Sequence, residues 1–104
     1  MSFTGKEDHS ISLENAAKLT KKYRDSVHAL DIKGGFFGRD AIQELLDQDE
    51  CVGIRYYYGL DENNVKVMVL VGAKADEDDL DRGAIKEASL LCPPRCGNNN
   101  PLNS

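Results

Sequence analysis

Apolar positions along this chain repeat first with a helical period and then with a strand period. Leu13, Ala16, Ala17, Thr20, Tyr23 and Val27 share one face at 3.6-residue spacing, with Lys18, Lys21, Lys22 and Asp25 opposite. The start is marked by Ile11-Ser12-Leu13-Glu14. Ser12 can cap the free amides, Glu14 suits the positive end, and Ile11 can pack back onto Ala16. The spacing predicts a helix ending near His28. Ala41, Ile42, Leu45 and Leu46 predict a shorter helix over Arg39–Asp47, with Asp40 near its N-terminus.

The period then changes to two. Val52, Ile54, Tyr56 and Tyr58 alternate with Gly53, Arg55 and Tyr57, which predicts a strand over Cys51–Tyr58. Val65, Val67, Val69 and Val71 alternate with Lys66, Met68 and Leu70 in a second strand over Val65–Gly72. Gly59-Leu60-Asp61-Glu62-Asn63-Asn64 supplies turn residues between them, so an antiparallel hairpin is the simplest pairing. The second strand is apolar on both faces and needs cover on both. A two-stranded ribbon is marginal alone. Either the Ala29–Lys33 connector or the tail adds a strand, or two copies join edges. The edge argument and the prevalence of closed symmetric pairs favour a homodimer. Leu80, Ala84, Ile85, Ala88 and Leu91 predict a third short helix stopped at Pro93, against which Gly83 counts. The fold class is therefore α+β: two or three helices packed on a small antiparallel sheet built around a β-hairpin. Residues 1–10 read as a flexible N-terminus, 11–97 as a single α+β domain, and 98–104 as a disordered tail.

Composition adds limits. At 104 residues, with 40% hydrophobic and 30% charged residues, one modest core is the expectation. The net charge of -5 is local: five of the eighteen acids lie in Asp76–Asp81, and the other thirteen match thirteen Lys and Arg. No basic face suits a polyanion beyond Lys18, Lys21, Lys22 and Arg24, so no nucleic-acid partner is expected. No apolar run approaches a membrane span, and the N-terminus lacks a signal-peptide core. The cytoplasm, where cysteines are usually reduced, is the expected compartment.

Phe37-Gly38-Arg39-Asp40-Ala41, Cys51-Val52-Gly53-Ile54-Arg55-Tyr56-Tyr57-Tyr58-Gly59 and the Cys92-Pro93-Pro94 ending together resemble a family of short uncharacterised bacterial proteins. The resemblance covers most of residues 11–96. It implies a bacterial stand-alone domain and carries over no activity, cofactor or site.

Candidate chemistry centres on three places. Cys92 and Cys96 flank Pro93-Pro94-Arg95, a spacing that matches neither the thioredoxin nor the haem pattern. Inert thiols, a redox pair and half of a metal site all stay open. Cys51, His9 and His28 stand in no recognised ligand spacing, and Cys51 suits a small core residue. Lys33-Gly34-Gly35-Phe36-Phe37-Gly38-Arg39 precedes a helix and could hold an anion, with Lys33 and Arg39 assisting, but it matches no phosphate-loop pattern. Arg55 beside Tyr57 could grip a carboxylate or phosphate, or equally pair with an acid on helix one or on a partner subunit. The acidic run lacks the EF-hand pattern, and no catalytic constellation can be placed. The expectation is a non-enzymatic module, without cofactor, that binds a protein partner or small acidic ligand at Arg55, Tyr57, Lys33 and Arg39. The alternative is a thiol-redox or metal-binding protein centred on Cys92 and Cys96.

Overall fold

A computed structural model describes residues 2–104. In chain order the elements are α1 (Leu13–Ser26), β1 (Gly34–Phe36), α2 (Arg39–Leu46), β2 (Cys51–Leu60), β3 (Lys66–Lys74), β4 (Ile85–Lys86) and β5 (Leu90–Cys92). The protein is α+β, with two helices and two antiparallel sheets of two and three strands among the described residues. The chain divides into two compact units. The first comprises the residues up to Glu7 with Phe37–Ser89, and the second Asp8–Phe36 with Leu90–Ser104.

The first unit is built on the hairpin β2–β3, with Leu60 opposite Lys66 and Tyr56 opposite Leu70. Asp61 closes the turn. Its N–H donates to the Val65 carbonyl at 3.0 Å, and its carboxylate accepts from the N–H groups of Asn63 and Val65. Asn64 holds a φ of 62°, a left-handed position that asparagine tolerates well. β4 adds a third strand on the far side of β3, giving the order β2-β3-β4. α2 begins after Gly38, carries Asp40 in its first turn and packs on β2 and β3. Leu45 is fully buried there; Leu70, Val71 and Ala73 complete the core among the described residues. Near the N-terminus, Phe3 N–H donates to the Ala75 carbonyl at 2.8 Å. The N–H of Thr4 and other local bonds pull the Glu7 carboxyl down to about 2.

The expected third helix is absent. Leu80 N–H donates to the Gly72 carbonyl at 2.8 Å, and Ala84 N–H donates to Gln48 Oε1 at 2.9 Å. These bonds draw the segment against β3 as a strand, and Ala88, with a φ of 60°, cannot continue a right-handed helix. The extra strand for the hairpin thus comes from Ile85–Lys86, not from the Ala29–Lys33 connector or the tail.

In the second unit, Ser12 Oγ accepts from Asn15 N–H at 3.1 Å and α1 begins at Leu13, as the cap pattern predicts. The helix ends at Ser26, slightly before His28, and buries no residue fully. β1 pairs with β5, placing Gly34 opposite Cys92. Residues 98–104 run in turns, and Arg24 Nη atoms donate to the carbonyls of Leu102 (2.8 Å) and Ser104 (3.0 Å).

Candidate functional site

The β2 strand carries most of the polar-aromatic chemistry of the first unit. Its period-two alternation puts Arg55 and Tyr57 on one face and Tyr56 and Tyr58 on the other. Arg55 Nη1 donates to Asp79 Oδ1 at 2.6 Å and to the Glu77 carbonyl at 2.8 Å. Tyr57 OH donates to Asp79 Oδ2 at 2.5 Å. The Phe3 ring lies against the guanidinium, 5.3 Å from its centroid to Cζ. The Arg55 and Asp79 side chains are only 29% and 22% exposed. The Tyr57 hydroxyl, and then the guanidinium, hold the Asp79 carboxyl below the usual carboxylate range. The same carboxylate pushes Tyr57 up, and Arg55 up as well. Asp79 itself forms an isolated bridge with Ala73, so its backbone is fixed to β3. Arg55 therefore pairs with an acid of the turn after β3, and not with one on helix one.

On the opposite face of β2, the Tyr56 and Tyr58 rings meet edge-on at 5.7 Å, and Lys66 Nζ sits 4.6 Å from the Tyr58 ring centroid. Tyr56, Tyr58 and Leu60 are 55%, 65% and 68% exposed. β2 is an edge strand. The Asp61-to-Val65 bond sets the alternation of the ladder: Gly59, Tyr57 and Arg55 bond towards β3. The N–H and C=O groups of Tyr56 and Tyr58 consequently point to the outer edge. Sequence alternation identified this face and the edge argument expected a free strand edge, but neither assigned that edge to β2.

Lys33 and Arg39 lie in different units. Lys33 Nζ donates to the carbonyls of Ala29 (2.7 Å), Asp31 (2.9 Å) and His28 (3.1 Å), tying the loop after α1. Arg39 is the exposed first residue of α2. Cys92 and Cys96 are joined by a disulfide, with their α-carbons 4.8 Å apart. The peptides before Pro93 and Pro94 are cis, and Arg95 N–H donates to the Leu91 carbonyl at 2.9 Å. Cys51 is a half-buried free thiol whose Sγ donates to the Gly53 carbonyl. Among the described residues, no three His, Cys, Asp or Glu side chains converge on a metal position, and no helix is long and apolar enough to cross a membrane.

Comparison of the chain with protein-family models, curated proteins and solved structures returned no match.

Proposed function

We propose that the protein is a non-enzymatic binding module that takes up protein chains by strand addition at the outer edge of β2, with a second copy of itself as the first partner. One observation carries this reading: outward-facing backbone groups of Tyr56 and Tyr58 lie beside three large exposed apolar side chains on one open edge. Unpaired edge backbone supplies the affinity in strand addition, and alternate side chains supply the fit. A small acidic ligand at Arg55 and Tyr57 is the weaker reading, because it must displace the Asp79 carboxylate from both partners.

The test is sedimentation velocity from micromolar to millimolar chain. Tyr58→Pro removes an outward N–H without touching the ladder to β3, a position where edge strands tolerate proline. Tyr58→Lys places a charge on the same edge. The wild type should associate, and both variants should sediment as monomers while keeping their strand signal in circular dichroism. A wild type that stays monomeric throughout, or variants that associate equally well, overturns the reading.

A further inference from the structure

The second unit holds a feature that strand addition does not use. The Cys92–Cys96 disulfide forms part of the wall of a cleft of about 830 Å³. Three cationic residues, Arg24, Lys33 and Arg95, line the same cleft, and no Asp or Glu lines it among the described residues. Lys33 is anchored beside the bridge, since its backbone N–H donates to the Cys92 carbonyl at 2.7 Å. Its ammonium has carbonyl oxygens for acceptors, which leave its positive charge unneutralised. Arg95 sits within the disulfide loop itself and is exposed. Phe36, 59% exposed, adds an apolar wall for a ligand's carbon skeleton.

This bridge closes a loop with a sequence separation of only four. So short a loop constrains the unfolded chain far less than a long one, so a bridge placed for stability alone gains least here. Cys96 is exposed and Cys92 half-buried, so solvent reaches the bridge from the Cys96 side. Neighbouring cations favour thiolate over thiol, which improves Cys92 as a leaving group and raises the local concentration of an anionic reactant.

The geometry points to thiol–disulfide exchange between this bridge and a small acidic thiol. The thiolate of the small molecule attacks Cys96 Sγ. The Cys92–Cys96 bond breaks, its electron pair stays on Cys92 as a thiolate, and a mixed disulfide joins Cys96 to the small molecule. A second small thiolate attacks the small-molecule sulfur of that mixed disulfide and releases Cys96 as a thiolate. Two small thiols are oxidised to their disulfide, and the protein is reduced by two electrons to a dithiol. The reverse sequence, with the small disulfide as oxidant, restores the bridge. The exchange is independent of the strand-edge reading, which concerns the other unit.

The full chain is first equilibrated with oxidised glutathione, and the Cys92–Cys96 bond is verified by site-resolved alkylation mass spectrometry, which separates it from Cys51. Reduction is then timed with glutathione, which is anionic, and with cysteamine, which is cationic, each rate being normalised to thiolate concentration. Glutathione should react about tenfold faster than cysteamine at low salt, and the preference should fall as salt rises. Arg95→Gln, an exposed substitution, should shrink that preference severalfold. Equal normalised rates for the two thiols, a preference unchanged by salt or by Arg95→Gln, or failure of the bond to form in oxidised glutathione overturns the proposal.

Discussion

Asp79 divides its two carboxylate oxygens between partners of opposite titration behaviour. Oδ1 accepts from Arg55, a group that stays charged, while Oδ2 accepts from the Tyr57 hydroxyl. Folding lowers the Asp79 pKa, so the contact stabilises the fold above the ordinary carboxylate value, and that contribution is lost as pH falls through the lowered one. Folding raises the Tyr57 pKa, so its contribution is complete below the ordinary phenol value and is lost as pH rises through the raised one. Denaturation midpoints across pH should therefore form a plateau bounded by an acid and an alkaline limb. Tyr57→Phe should flatten the alkaline limb and remove a component that titrates above the ordinary phenol value from the tyrosinate absorbance at about 295 nm. Asp79→Asn should weaken both limbs. An alkaline limb unchanged in Tyr57→Phe would show that Asp79 does not hold the phenol in its neutral form.

Where β3 meets β4, a second close approach decides the local structure. Gln48, just beyond the end of α2, donates from Nε2 to the Leu45 carbonyl at 2.9 Å and accepts from Ala84 N–H at 2.9 Å. A Cβ on Gly83 would fall 2.0 Å from Gln48 Oε1. Gly83→Ala should displace that amide, leave Ala84 N–H and the Leu45 carbonyl without it, and cost about 1–3 kcal/mol by urea denaturation. In the double variant with Gln48→Ala, the alanine at 83 should cost much less, because its obstacle is gone. Gly83 was legible only as a weak point in a helix, because the reason for it lies on Gln48, thirty-five residues away. Elsewhere the reading succeeded where the determinants are local: the Ser12 cap, the α2 stripe, and the β2–β3 alternation with its Asp61 turn. It failed where a distant partner decides. Leu80 and Ala84 spend their N–H groups on Gly72 and Gln48, so helical spacing over Leu80–Leu91 had no helix to report. Asp79 was hidden within an acidic run whose other members give no sign of its different role. The cysteine spacing left bridge, thiol and ligand open, because the choice depends on how the chain turns between them.

Taken as a whole, the chain buries little for its length. Among the described residues the buried apolar side chains are Leu45, Leu70, Val71 and Ala73, and α1 contributes none. Meanwhile Tyr56, Tyr58 and Leu60 stand exposed on one strand edge. A chain of 104 residues needs most of its apolar surface covered to offset conformational entropy. If a second copy provides that cover, folding and association are one equilibrium, and stability depends on chain concentration. For a two-state dimer of chains this length, the enthalpy expected per residue gives a rise in Tm of about 3–4 °C per tenfold increase in concentration. Calorimetry across two decades of concentration should show that slope in the wild type. Tyr58→Pro should show a flat and lower Tm, since it removes the edge without removing the core. A wild-type Tm independent of concentration would mean that the core around Leu45 suffices alone. The exposed tyrosines would then serve a partner other than the chain itself.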